Sequence, residues 1–156
     1  MTNSSTSAAS ALPSTPIVLI TGGSRGLGRS AALAAARTGI DVVLTYRQQA
    51  AEAQAVVAEI TALGRRAVAL PLDVGDVRSF GGFAAQLTLA LQTHWQRDRF
   101  DFLVNNAGMG VHASITDTTE AQFDALVNVH LKGVFFLIQR LLPLMNDGGR
   151  ILNLSS

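Results

Sequence analysis

The residues best suited to chemistry lie in the eight-residue stretch Thr21–Gly28 (TGGSRGLG), which follows the apolar run Ile17–Ile20 and leads into RSAALAAAR. Glycines at 22, 26 and 28 suit a turn that cradles phosphate. Gly22 permits the tight bend, Gly26 lets backbone approach a pyrophosphate, and Gly28 lets helix and strand pack closely. A helix that begins here aims free N–H groups and the positive end of its dipole at the anion. Ser24, Arg25 and Leu27 belong to the same turn, so a hydroxyl and a cation stand beside it. A second cation, Arg47, follows Tyr46 at the end of the next apolar run, in VVLTYRQQ. Two guanidinium groups converging on one phosphate would form charge-assisted, bidentate bonds. A glycine-rich pattern alone is weak evidence; its place between a buried strand and a helix gives it weight.

The elements that must position these residues alternate in texture. Short apolar runs occur at Ile17–Ile20, Val42–Thr45, Ala67–Leu72, Phe102–Val104 and Ile151–Leu154. Helical stretches lie between them at Leu27–Arg37, Gln48–Leu63, Val77–Trp95 and Thr119–Met145. Strands that are apolar throughout, rather than alternating, predict burial on both faces of a parallel sheet. The strand–helix alternation then predicts right-handed crossovers and an α/β, doubly wound parallel sheet in strand order 3-2-1-4-5. Turn signals at Thr38-Gly39, Gly64 and Asp147-Gly148-Gly149 are expected to end helices. In the third helix Gly81-Gly82 costs roughly 1 kcal/mol per glycine, which the apolar series Phe83, Leu87, Leu91, Trp95 offsets by packing.

Composition excludes several function classes. The net charge of +1 comes from scattered residues, which gives no nucleic-acid or anionic-membrane surface. The absence of cysteine excludes disulfides and thiolate metal sites and fits a cytoplasmic location. Three dispersed histidines support no metal site, and no apolar run is expected to reach the length of a membrane span. Residues 1–16, rich in Ser, Thr and Ala, match neither a secretory signal nor a transit peptide. They are expected to be a disordered tail ahead of one domain at 17–156.

The spacing TGxxxGxG resembles the short-chain dehydrogenase/reductase family, and three further motifs occur in that family's order. Asp73-Val74 is similar to the pair that contacts adenine, Asn105-Asn106-Ala107-Gly108 matches the NNAG signature, and GGRILNLSS resembles the strand leading to a catalytic serine. The resemblance implies a Rossmann-type fold, here lacking the family's later strands. It also implies that Asn105 steadies the sheet while Asn106, Ala107 and Gly108 bring backbone close to a nicotinamide ribose. NAD-specific members carry an acid at the end of strand two. This chain has Tyr46 and Arg47 there, so the expected cofactor is NADP(H).

The family's chemistry implies an Asn on the fourth helix, a Ser after strand five, and a YxxxK pair that exchanges the proton. Ser156, the second of the SS pair, matches the serine. Alignment on Gly133, Phe135 and Pro143 puts His130 at the helix Asn; Asn128 is the alternative, about 200° away around the helix. His94 and His112 match no motif and are expected at the surface. The only tyrosine is Tyr46 and the only lysine Lys132, so no YxxxK occurs in the 156 residues. The expectation is therefore an NADP(H)-dependent oxidoreductase lineage acting on a ketone or 3-oxoacyl compound, with 3-oxoacyl-carrier-protein reductase-like chemistry the commonest resemblance. The partner is a small carbonyl or alcohol substrate, and a homo-oligomer is implied for the full-length form. The chain as given is expected to bind cofactor but to be catalytically impaired. The alternatives are a non-catalytic NADP-binding module or truncated paralogue, or an unstable product whose fifth strand is an exposed edge.

Overall fold

The computed structural model describes residues 14–155. Ser156 and the greater part of the expected tail, residues 1–13, lie outside the described residues. Five parallel strands form one sheet: β1 (Ile17–Ile20), β2 (Asp41–Tyr46), β3 (Ala67–Pro71), β4 (Phe100–Asn105) and β5 (Met145–Asn153). Their order is β3-β2-β1-β4-β5, as the alternating pattern predicts. The helices are α1 (Gly26–Arg37), α2 (Ala50–Ala62), α3 (Phe80–Trp95), α4 (Glu120–Val127) and α5 (Gly133–Leu141).

The central strand shows why the sheet is wound on both sides. All four residues of β1 are buried, with Ile17 and Leu19 in one core and Val18 and Ile20 in the other. The first core takes Phe80, Phe83, Leu87, Leu91 and Trp95 from α3 and Leu137 and Leu141 from α5. The second takes Ala32, Leu33 and Ala36 from α1 and Ala53, Val56 and Ile60 from α2. Pleating sends successive side chains to opposite faces, so a strand covered on both faces must be apolar at every position. Gly39 and Gly64, at φ +92° and +77°, follow α1 and α2 where the turn signals stand.

Two carboxylates brace the end of the sheet remote from the glycine-rich turn. Asp41, buried, accepts hydrogen bonds from the Trp95 indole N–H at 2.8 Å and the Arg66 amide at 3.0 Å. Asp101 accepts from the Ile17 amide at 2.8 Å, from Asn146 Nδ2 at 2.7 Å, and from Arg97 Nη2 at 3.1 Å to each oxygen. Partial burial works to raise the Asp101 pKa, but the bonds from Asn146, Ile17 and Arg97 outweigh it and hold the carboxyl below its ordinary value.

Several expectations need correction. The fourth helical stretch is not one regular helix: α4 passes through a π turn at Asn128–Lys132 into α5. The turn ends at Gly133, which packs so closely that a Cβ there would collide with the carbonyl oxygen of Val74 and stand 2.7 Å from that of Asn128. The helix also ends before Asp147-Gly148-Gly149, in a 3-10 turn at Leu142–Leu144. Pro143 has no N–H to continue the ladder. Gly148, at φ +78°, instead lies within β5, where the pairing with β4 shifts register between Phe100 and Phe102. Strand five consequently begins at Met145 rather than Ile151. Residues 15 and 16 of the expected tail are held: Arg97 Nη1 donates to Thr15 O and Asp41 N to Pro16 O, both at 2.9 Å.

The apolar series Val127, Leu131, Val134, Phe135, Ile138 and Leu142 on the fourth helical stretch, which from sequence alone is expected to be mostly core, is not mostly core either. Leu131, Phe135 and Leu142 are 67%, 62% and 57% exposed. The stretch is apolar on two faces, and the sheet covers only the one carrying Val129, Leu137 and Leu141. For the same reason Glu120–Leu144, at 25 residues, is long and apolar enough by length and composition to cross a membrane, contrary to the expectation above. The edge strand β5 leaves Ile151 and Leu152 partly exposed, and Leu154 just after it is exposed as well.

Candidate functional site

The loop from β1 to α1 is built by the two strands that flank β1. On the β2 side, Gly22 N donates to Thr45 Oγ1 at 3.2 Å and Gly23 N to Thr45 O at 2.9 Å. On the β4 side, Thr21 Oγ1 accepts from Asn106 N and Ala107 N, both at 3.0 Å. The Asn106 side chain completes the lock, its Nδ2 donating to Thr21 O at 2.8 Å and Gly22 O at 3.0 Å. The Asn106 side-chain amide and backbone N–H are thus both spent on holding the loop. Asn105 is buried, donates from Nδ2 to Asn153 Oδ1 at 2.8 Å, and ties β4 to β5.

The three glycines have three different reasons. Gly22 needs its φ of +66°, and a Cβ would stand 2.9 Å from Ala107 Cα. Gly28 lies against the loop so closely that a Cβ would collide with Gly22 O and Asn106 Nδ2. Gly26 also has positive φ, +55°, but a Cβ there meets nothing within 4 Å. That open side is the side a ligand can approach. Gly23, not singled out by the sequence, is equally constrained: a Cβ would lie 2.7 Å from Leu44 Cβ.

A cleft of about 570 Å³ opens above this loop, at the carboxyl ends of the strands. All thirteen residues expected to hold cofactor line it. Gly22, Ser24, Arg25, Gly26, Leu27 and Gly28 come from the turn, and Tyr46 and Arg47 from the end of β2. Asp73 and Val74 come from behind β3, and Asn106, Ala107 and Gly108 from behind β4. The sequence reading missed Gln48 and Gln49, next to Arg47, and Met109 and Gly110, next to the NNAG motif. Each adjoins a motif that was read, so a wider window would have found them. Leu72 and Val129 complete the wall, and only the packing of α4 and α5 onto the sheet reveals Val129 there.

The electrostatics of this cleft suit an anion. No side chain caps the start of α1 and its first turn carries no acid. Neither Arg25 nor Arg47 has a carboxylate or hydrogen-bond partner for its guanidinium among the described residues. Asp73 is the single acid on the wall, and its Oδ1 accepts from Gly75 N at 2.9 Å.

A second cleft of about 1160 Å³ lies between the β4–β5 end and the helical stretch. Asn106 through Gly110 line both clefts and form the wall between them. His130 borders the second cleft and Asn128 neither. The His130 Nε2 stands 2.7 Å from Met109 O. His94 and His112 are exposed, and no cluster of three or more His, Asp or Glu suited to a metal occurs among the described residues. Ser156 falls outside the described residues; Asn153, Leu154 and Ser155 before it line the second cleft.

Comparison with known proteins agrees with this architecture. The family model for short chain dehydrogenases matches residues 16–156. Among curated proteins, tetrahydroxynaphthalene reductase PfmaG of Pestalotiopsis fici is 35% identical over 140 residues, covering 90% of this chain and 48% of that protein. The 3-oxoacyl-[acyl-carrier-protein] reductase of Synechocystis sp. is 36% identical over 143 residues, covering 90% and 55%. Among solved structures, a short chain dehydrogenase from Burkholderia cenocepacia in complex with NADP superposes with a TM-score of 0.82 at 38% identity, over 92% of this chain and 56% of that one. The landomycin C-6 ketoreductase LanV with bound NADP and rabelomycin gives 0.88 at 34% identity, over 92% and 58%. The chain spans about half the length of the curated relatives it matches. From its glycine-rich turn, its sheet order and a family match over nearly its whole length, this chain belongs to the short-chain dehydrogenase/reductase family.

Proposed function

We propose that this chain is the cofactor-binding half of an NADP(H)-dependent oxidoreductase that interconverts a ketone or 3-oxoacyl compound and its alcohol. The observation that carries the reading is the unpaired couple Arg25 and Arg47 on a cleft whose β2 end bears no acid. When bound, NADP(H) supplies or accepts the hydride. The chain's own residues bind and orient: backbone N–H groups of the turn and α1 hold the pyrophosphate, and Ser24, Arg25 and Arg47 hold the 2′-phosphate. Tyr46, Asp73 and Val74 flank the adenosine, and the Asn106–Gly108 backbone supports the nicotinamide ribose. Ser156 would polarise the substrate oxygen, and His130 takes the position of the helix Asn.

Proton exchange needs a group that these 156 residues lack. Tyr46 lines the cofactor cleft at the end of β2, and Lys132 is exposed on the π turn, so neither can serve. The chain as given therefore binds NADP(H) but turns over slowly, since general acid–base help typically contributes roughly 10²–10⁴ in rate. The outer apolar face of the helical stretch, with Phe123, Leu131 and Phe135 exposed, is where a second subunit would pack in the full-length protein.

Fluorescence titration of the folded chain with NADPH and NADH tests the reading. Two charge-assisted contacts of roughly 1.5–3 kcal/mol each favour NADPH by a hundredfold or more. The variant Arg47→Ala should lose at least tenfold of that preference. Equal affinity for the two nucleotides would defeat it.

A further inference from the structure

We infer that His130 is a positioning residue: its imidazole clamps the backbone of Met109 and so fixes the wall between the two clefts, a role that rests on the function proposed above for its bearing on cofactor binding. The π turn Asn128–Lys132 places this ring against the segment behind β4, 21 residues earlier in the chain. One ring nitrogen meets both polar groups of Met109, with Nε2 at 2.7 Å from the carbonyl oxygen and 3.2 Å from the amide nitrogen. With its proton on Nε2 the ring donates to the carbonyl; with its proton on Nδ1 the same nitrogen accepts the amide N–H. Either neutral tautomer therefore grips the same residue.

The ring also crowds a glycine. A Cβ on Gly108 would stand 2.9 Å from His130 Cε1, with the next atom, His130 Nδ1, at 3.7 Å. The imidazole occupies the space that a side chain at 108 would need. A side chain at 108 and the imidazole of His130 would thus compete for the same space. Because Asn106 through Gly110 line both clefts, a ring that anchors Met109 sets the position of both walls at once. Val129 and His130, adjacent on the π turn, face the first and second cleft respectively, so the turn reaches the partition from either side.

The test uses His130→Ala, His130→Gln, Gly108→Ala and the double variant Gly108→Ala/His130→Ala in the chain as it stands. The readouts are amide hydrogen exchange at Met109 and the NADPH dissociation constant. His130→Ala should speed Met109 exchange and raise the dissociation constant by about 2- to 10-fold, the equivalent of one net hydrogen bond. His130→Gln, whose side-chain amide reaches a similar distance, should restore part of both. Gly108→Ala should impair both readouts with His130 present and add nothing further in the His130→Ala background. Unchanged exchange or unchanged affinity in His130→Ala overturns the clamp, as does an equal penalty for Gly108→Ala in both backgrounds. If the exchange results hold while the wild-type chain binds no NADPH, the clamp stands and the proposed function falls.

Discussion

Replacing Gly28 with alanine tests how the glycine-rich loop is held. The new Cβ has no free space: it collides with the Gly22 carbonyl oxygen and with Asn106 Nδ2, two atoms bonded to each other at 3.0 Å. The methyl group must part them, and the companion bond from Asn106 Nδ2 to Thr21 O at 2.8 Å goes with it. Two net hydrogen bonds amount to about 1–3 kcal/mol. Overpacking against backbone adds about 1–3 kcal/mol, because one of the obstructing atoms is a carbonyl that cannot rotate away. The expected loss is about 2–6 kcal/mol, a large share of the roughly 5–15 kcal/mol that holds a domain folded. Urea unfolding of the cofactor-free chain measures it, and NADPH affinity should fall at least tenfold in parallel. Gly26→Ala provides the contrast: it meets no atom within 4 Å and pays only for its positive φ, about 1–2 kcal/mol. Asn106→Ala combined with Gly28→Ala should cost clearly less than the sum of the two, since both act on the same bonds. A Gly28→Ala chain within 0.5 kcal/mol of wild type (about the ordinary surface scatter) with unchanged NADPH affinity would refute this account of the loop.

Three further outcomes are expected. Asp101→Asn should lower the urea midpoint at neutral pH; because the folded-state pKa is depressed, the wild-type advantage is full above the ordinary Asp value of about 3.9 and disappears as pH falls through the lower folded value. A gap between the two proteins that stays constant down to pH 3 and below would contradict the network around that carboxylate. Gly81→Ala and Gly82→Ala, where a Cβ meets nothing, should each stabilise α3 by roughly 1 kcal/mol and raise the melting temperature by a few degrees. Trp95→Phe keeps most of the buried apolar volume but removes the donor to Asp41 Oδ2, and should cost about 1–3 kcal/mol in urea unfolding.

The parts of the fold legible in the sequence are those specified by neighbours along the chain. Ile17–Ile20 is a strand because four successive apolar residues serve two cores, and the thirteen cleft residues adjoin strand ends that such patterns mark. The π turn was not legible, because the helix there packs through Gly133 against Val74, 59 positions earlier, and no local pattern marks that contact. The start of β5 was missed because Gly148 reads as a helix stop, whereas pairing with β4 absorbs it as an irregularity in the strand. The exposure of Leu131 and Phe135 escaped for a related reason: apolar periodicity shows which residues seek cover and not which face the sheet reaches. Of the partners of Asp101 only Arg97 is local; Ile17 and Asn146 lie 84 and 45 residues away, so its bracing role carries no signature along the chain.

The lock between Thr21 and the segment behind β4 has a consequence in time. Thr21 Oγ1 finds its donors on Asn106 and Ala107, 85 and 86 residues later. Closing so long a loop is entropically costly, and parallel pairings of this separation form slowly. During synthesis at roughly 5–20 residues per second, β1 would wait on the order of 4–17 s for the strand that completes its second side. Over that interval the apolar run Ile17–Ile20 can pair only with β2, and one edge of the future central strand is open to other chains. The glycine-rich turn is thus made well before it can take shape, since its lock closes only after residue 107 has emerged.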